Sequence, residues 1–147
     1  MTEAATDADA LARACAEAMY ARDRAARAAG MVIEDVRAGY ARVAMTVTDA
    51  MLNGHDIAHG GFTFMLADTA FAYACNSRNL PNVALQCSIS FAAPVHLGDR
   101  LVAEGEQRSG GNGRTGVYDI TVSRADGEMV ALFRGVCYRV KGTVLEG

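Results

Sequence analysis

The chain has 147 residues, a mass of 15.5 kDa and a hydrophobic content of 51%. These values predict one domain with a sizeable core, because a chain of this length buries roughly 70% of its extended surface on folding. Charged residues make up 21% of the chain, which excludes disordered and collagen-like classes. The net charge of −3 argues against nucleic-acid binding and against a polybasic membrane anchor, since both need dense positive charge.

Acidic residues open the chain. Glu3, Asp7 and Asp9 precede any apolar stretch, so the sequence predicts no secretory signal. The cysteines lack C-x-x-C spacing, which is typical of unpaired thiols in a reducing compartment; they are Cys15, Cys75, Cys87 and Cys137. We therefore expect a soluble, cytoplasmic protein.

The first predicted element is an amphipathic helix over about residues 7–29. Its apolar positions follow the i, i+3, i+4, i+7 spacing, at Leu11, Ala14, Cys15, Ala18 and Met19. Gly30 is a natural stop for this helix. The pattern then changes to period two, which predicts a strand from Val43 to Val47 and a shorter one from Val32 to Val36.

A second helix is predicted over about residues 60–77. Between Phe62 and Cys75 the only charged residue is Asp68, so this helix is apolar on every side and should be surrounded by protein. A membrane span is disfavoured, because these fourteen residues fall short of the about 20 needed to cross a bilayer.

Four further strands are predicted after Pro81, at about 83–91, 101–107, 116–123 and 129–140. In the first of these, one face is expected to carry Val83, Leu85, Cys87, Ile89 and Phe91. Short turns between strands make the neighbours antiparallel. The order of elements predicts an α+β fold, in which a curved antiparallel sheet wraps around the apolar helix. The last strand is apolar on both faces, so we expect a subunit interface to cover its second face.

The first candidate for chemistry is Asp68. A carboxylate on an apolar helix loses hydration unless it is paired or protonated, so it is either functional or bonded structurally, for instance to Arg134. His59, Gly60 and Gly61 lie where the helix should begin. Helix N-termini offer unpaired N–H groups, and glycines let a substrate approach them, so such a site can hold a developing oxyanion. Together these features favour an acyl-transfer site.

Four other patterns are weaker. Asn53 is followed by glycine, which usually marks only a turn. His55 and His59 have the four-residue spacing of zinc ligands on a helix, but no third ligand is evident. The segment Gly111–Gly116 matches G-x-G-x-x-G, yet strands flank it on both sides, which favours a hairpin turn over a nucleotide site. Cys75 lacks a partner base and is interpreted as a small core residue.

The most informative segment runs from Met51 to Ser77 and reads MLNGHDIAHGGFTFMLADTAFAYACNS. It resembles the signature region of the hotdog-fold acyl-CoA thioesterases, and LADTAFAYACNS more narrowly resembles the hydroxyphenylacetyl-CoA thioesterases of phenylacetate degradation. The resemblance extends over nearly the whole chain, through Phe91 with Pro94, Gly98 with Asp99, Arg114 to Asp119, and Ala131 to Gly135. It implies a single hotdog domain with an extra N-terminal helix, dimers with a continuous sheet, and dimers paired into tetramers.

The resemblance also implies roles for individual residues. The catalytic acid of such enzymes lies on the central helix, where this chain has Asp68. The backbone N–H that polarises the thioester carbonyl corresponds to Gly60, while Asn53 places the water or the substrate across the dimer interface. His59 and Gly61 adjoin the oxyanion position and are expected to contact the substrate.

One position departs from the pattern of some relatives. They carry a serine on the strand after the helix, where this chain has Ala84, so Asp68 would carry more of the reaction, as general base or as a nucleophile that forms an anhydride. No metal or redox cofactor is expected, since coenzyme A is part of the substrate. The candidates for binding its phosphates are Arg100, Arg108 and Arg114.

Two other functions stay open. A hotdog hydratase or dehydratase would use a histidine with an acid, and His55 is available. A non-catalytic acyl-CoA-binding protein would keep Asp68 as a structural residue.

Overall fold

The computed structural model describes residues 2–110 and 113–146. Its elements, in chain order, are α1 (Glu3–Arg22), α2 (Arg24–Ala28), β1 (Val32–Arg37), β2 (Tyr40–Thr46), a 3-10 turn (Asp49–Met51), α3 (Gly60–Cys75), β3 (Asn82–Phe91), β4 (Arg100–Ser109), β5 (Thr115–Arg124) and β6 (Met129–Arg139).

The strands form one antiparallel sheet in the order β1-β2-β4-β5-β6-β3. The helix α3 lies against its inner face, where Leu66, Ala70 and Phe71 are almost completely buried. The small alanine side chains let the helix axis approach the strands closely. The prediction of an α+β fold with a sheet around a central apolar helix is therefore confirmed. Among the described helices, none has both the length and the apolar character that a membrane span requires.

The N-terminal helical region differs from its prediction. It begins at Glu3, where Thr2 Oγ1 accepts the N–H of Ala5 at 3.2 Å, and it divides at Asp23 into α1 and α2. The division occurs because Asp23 Oδ1 accepts the N–H of Ala26 at 3.0 Å, while Oδ2 accepts the hydroxyl of Tyr73 in α3 at 3.1 Å. The break between α1 and α2 therefore coincides with one side chain that makes both a local cap and a tertiary contact.

The central helix starts at the predicted residue but ends at Cys75, two residues before the expected limit. Asn76 ends it, because its side-chain Nδ2 donates to the carbonyl of Ala72 at 2.8 Å and its Oδ1 accepts the N–H of Asn82 at 2.8 Å. The side chain of Asn76 therefore ties the end of α3 to the first residue of β3.

The predicted alternation of β3 is wrong at one end of the strand. The pairing of β3 with β6 shifts between Ala84 and Gln86, which leaves Leu85 without a partner. Because of this bulge, Ala84 is on the same face as Cys87, and the bulged Leu85 is 62% exposed. At this end of β3, the face that carries Cys87 therefore includes Ala84, whereas strict period two predicts Leu85 there.

Candidate active site

The start of α3 is organised by His59. Its backbone N–H donates to Met51 O at 2.8 Å, and its ring Nδ1 accepts the N–H of Gly61 at 2.8 Å. The His59 carbonyl accepts the N–H of Phe62 at 3.0 Å. In the part of the chain that the structure describes, the N–H of Gly60 has no acceptor. The imidazole therefore caps the helix, and the donor left for a ligand belongs to Gly60, not to Gly61.

Asn53 lies in the loop that leads to this helix. Its Oδ1 accepts the N–H of His55 at 2.9 Å, and its own N–H donates to Ile57 O at 2.8 Å. The side-chain oxygen is therefore used within the loop, and the amide Nδ2 has no acceptor among residues 2–110 and 113–146. Because residues 55 and 59 precede α3, the helical spacing of zinc ligands does not apply to them.

Asn53 and Gly60 share one cavity of about 550 Å³. Its other polar side chain is Thr63, and most of the wall is apolar, including Ile57, Phe91, Pro94, Val95 and Val130. A Cβ added to Gly60 would lie 2.9 Å from Cζ of Phe91. The ring therefore covers the helix start so closely that a side chain at position 60 would displace it. The cavity volume lies within the roughly 300–1,000 Å³ of typical ligand pockets.

Asp68 lies two turns further along α3 and is half-buried. The thiol of Cys87 in β3 donates to its Oδ1, with 3.9 Å between sulfur and oxygen. Burial raises the pKa of Asp68 above its ordinary value, and the hydrogen bond from Cys87 acts in the opposite direction. The structural pairing with Arg134 is wrong, because Arg134 binds Asp119 through two hydrogen bonds of 2.6 and 2.9 Å.

The predicted site residues fall into two groups within one chain. Asn53, His59, Gly60 and Gly61 meet at the start of α3, whereas Asp68 lies eight residues beyond Gly60. A rise of 1.5 Å per residue puts this separation at about 12 Å along the helix axis. The residues at the start of α3 and the Asp68 carboxylate therefore do not meet within one chain.

Sequence reasoning missed Cys87. The resemblance to other thioesterases drew attention to position 84, where some relatives have a serine. Ala84 is exposed and lies opposite Cys137 of β6. The signal for Cys87 was its place on the inner face of the strand that follows the acid-bearing helix. Period two alone does not indicate which inner residue faces Asp68.

The candidate arginines for coenzyme A phosphates differ in their partners. Arg100 binds Glu34 at 2.8 Å, and Arg108 lies 3.6 Å from Asp119. Arg114 is exposed and has no acidic partner within the described residues. Of the three, Arg114 is the cation whose charge is least compensated.

Comparison with known proteins identifies the family. Residues 55–131 match the thioesterase superfamily. The acyl-coenzyme A thioesterase PaaI of Escherichia coli K12 is 50% identical over 129 residues, which are 88% of this chain and 91% of that protein. The structure of E. coli PaaI, from the phenylacetic acid degradation operon, superimposes with a TM-score of 0.90 at 49% identity and covers 92% of this chain and 97% of its own.

A second solved structure carries a ligand. A hypothetical thioesterase from Streptococcus pneumoniae TIGR4, solved with coenzyme A, superimposes with a TM-score of 0.71 at 30% identity and covers 75% of this chain and 88% of its own. The family match spans more than half of the chain, and the PaaI matches cover most of it. This chain therefore belongs to the thioesterase superfamily and has its hotdog fold.

Proposed function

We propose that this protein hydrolyses aryl-acyl-CoA thioesters, with (hydroxy)phenylacetyl-CoA as its substrate in phenylacetate catabolism and the free acid and coenzyme A as products. The observation that carries the proposal is the N–H of Gly60, which has no acceptor in the described chain. Gly60 lines an apolar cavity at the start of α3. The 50% identity to an acyl-coenzyme A thioesterase supports the acyl-CoA class.

The first chemical task falls to Gly60. A thioester carbonyl placed against its N–H accepts a hydrogen bond that strengthens as the oxygen gains negative charge, and the positive end of the helix dipole adds to it. The loss of one such donor typically costs about 3–4 kcal/mol of barrier. The Nδ2 of Asn53, on the same cavity wall, donates to the substrate or to the attacking water.

The second chemical role, activation of water or direct attack on the carbonyl carbon, belongs to Asp68. The Asp68 that acts at a given Gly60 comes from a second copy of the chain. The strand β3 lies at an edge of the sheet, where Val83 is 52% exposed, and an exposed strand edge is open to pairing. A twofold axis beside β3 would pair it antiparallel with the same strand of another copy. Gly60 of one protomer would then lie near the Asp68 half of α3 in the other. Two such sites form per dimer.

The sheet's outer face supports a further association of dimers. Leu132 of β6 is exposed there, and so is Tyr138 of the same strand. Burial of these apolar side chains favours pairing of dimers into a tetramer.

The reaction needs no metal or redox cofactor. The Asp68 carboxylate accepts a proton from water as the water oxygen attacks the carbonyl carbon, and the oxyanion forms at the Gly60 N–H. The carbon–sulfur bond then breaks, the free acid forms, and coenzyme A leaves as a thiolate that takes up a proton. Direct attack by Asp68 would instead form an anhydride, which water then hydrolyses.

Three features support the proposed substrate and the proposed compartment. Phe91 presents an exposed aromatic ring beside the carbonyl position, and such rings stack favourably with an aryl group. Arg114, uncompensated by any acid in the described segments, is the cation proposed for the coenzyme A phosphates. Every cysteine is a free thiol, which supports the cytoplasm as the compartment.

The test is thiol release from 3,4-dihydroxyphenylacetyl-CoA by the natural chain and by Asp68→Asn, with circular dichroism to show that the variant folds. We expect rapid release that the variant loses by several decades. A rate that peaks on long-chain fatty acyl-CoA would remove the aryl assignment. Tight binding without release would favour an acyl-CoA-binding protein, and addition of water to an enoyl thioester without release would favour a hydratase.

A further inference from the structure

We propose that Cys87 is a positioning residue for Asp68, whose thiol donates a hydrogen bond to Oδ1 and thereby fixes the orientation in which the carboxylate meets water or substrate. The inference rests on the proposed function, because it assigns Cys87 a role only through Asp68. In this role Cys87 is a hydrogen-bond donor and not a nucleophile.

The Cys87 thiol contacts the Asp68 carboxylate directly. Throughout the described residues, the Cys87 thiol is the only group that donates a hydrogen bond to the Asp68 carboxylate, with sulfur and oxygen 3.9 Å apart. The two side chains come from different elements, α3 and β3, and both are half-buried. A carboxylate held by one donor loses its preferred orientation when that donor is removed.

Packing around the contact keeps its geometry. Cys87 lies opposite Gly135 of β6, and the ring of Phe71 occupies the space beside that glycine. Phe71 follows Asp68 by one turn on α3, so the same packing that sets the distance from helix to sheet also sets the distance from the carboxylate to the thiol.

The electrostatics agree with a thiol that remains a donor. Burial and the neighbouring carboxylate both raise the pKa of Cys87, so the sulfur stays protonated at neutral pH. The hydrogen bond favours the charged form of Asp68 and opposes the rise in its pKa that burial causes. The other titratable group near the Asp68 charge is the thiol of Cys75, two turns further along α3.

Three substitutions separate positioning from packing. Cys87→Ala removes the donor, Cys87→Val removes it but fills the volume, and Cys87→Ser keeps a donor. We expect Ala and Val to lower kcat by about tenfold with KM within about twofold, and to move the acid limb of the kcat profile to higher pH. Cys87→Ser should keep most of the rate and the natural profile. Cys15→Ala, which removes a buried thiol in α1, is the matched control and should change neither.

A merely structural role gives a different pattern. In that case Val would retain the rate and Ser would not, and the pH profile would not move in any variant. That pattern would overturn the inference while the natural chain still hydrolyses thioester. If the natural chain releases no thiol at all, the proposed function is wrong and this role falls with it.

Infrared spectroscopy tests the contact without any substrate. The S–H stretching band of Cys87 is obtained as the difference between the natural chain and Cys87→Ser. We expect this band to shift when the pH is lowered through the pKa of Asp68, because the acceptor loses its charge. A band that does not respond to pH would contradict the hydrogen bond on which the proposal depends.

Discussion

The ring of Phe71 occupies the space that a side chain on Gly135 would need. A Cβ on Gly135 would lie 2.7 Å from two carbons of that ring, Cε2 and Cζ. The ring cannot retreat, because it is buried between Tyr118 and Phe133, with centroid distances of 5.7 and 5.8 Å. The absence of a side chain at position 135 therefore sets how closely α3 approaches β6.

Gly135→Ala should destabilise the protein. The added methyl forces Phe71 or the strand to move, and such overpacking typically costs about 1–3 kcal/mol. Urea unfolding of the two proteins measures the difference in the free energy of unfolding. Gly54→Ala is the control, since no atom lies within 4 Å of its added Cβ, and its effect should be small. Equal losses in both variants would mean that the Phe71 contact is not the cause.

The role of His59 as a helix cap predicts a pattern across two substitutions. His59→Ala leaves the N–H of Gly61 without its acceptor and should cost about 1 kcal/mol of stability. His59→Asn provides a side-chain acceptor of the kind preferred at this position and should recover most of the loss. Thermal unfolding of the three proteins checks this, and a destabilised Asn variant would contradict the cap.

The raised pKa of Asp68 predicts that stability depends on pH in a defined direction. Because burial raises this pKa, the folded state binds the proton more tightly than the unfolded state. Between the unfolded and folded pKa values the free energy of unfolding therefore falls as pH rises. Asp68→Asn has no charge to bury, so it should be more stable than the natural chain at neutral pH, and the gap should close as pH falls. Urea unfolding across pH measures both, and a less stable Asn variant at neutral pH would contradict the expectation.

Substitution of Arg114 and substitution of Arg100 should have different effects on KM. Arg114→Ala should raise KM for acyl-CoA with little change in kcat, because a phosphate contact distant from the carbonyl contributes to binding of substrate and transition state alike. Arg100→Ala is the matched control, since this arginine is already engaged by Glu34 at 2.8 Å. Steady-state kinetics at low ionic strength provide the comparison. The opposite ranking would move the phosphate site to the β4 side of the sheet.

A shared site predicts that the rate depends on association. Leu85→Arg places a charge on the exposed edge of β3 and should yield monomers whose thiol release falls by about a hundredfold or more. Leu97→Arg changes a similarly exposed leucine in the turn before β4 and should leave both properties intact. Sedimentation and thiol release together decide this, and a fully active monomer would show that one chain suffices.

Local patterns in the sequence account for the architecture. An apolar segment with one acid predicts a buried helix that begins at Gly60, and period-two segments separated by short turns predict an antiparallel sheet around it. The glycine of the Asp126-Gly127 turn takes a φ of +88°, as such a hairpin requires. These features are local, because hydrophobic periodicity and turn chemistry act over a few residues. The segment around Gly60 and Asp68 also carried the resemblance to thioesterases.

Other features depend on residues far apart in the chain and follow from packing in the folded protein. The contact between Tyr73 and Asp23, the residue at which the first helix divides, joins positions fifty residues apart. The bulge at Leu85 depends on how β3 pairs with β6, and the contact between Cys87 and Asp68 depends on how β3 packs against α3. No local pattern encodes such distances, since they follow from packing between elements. The sequence could place Gly60 and Asp68 two turns apart on one helix, but it could not show which side chain of the sheet contacts Asp68.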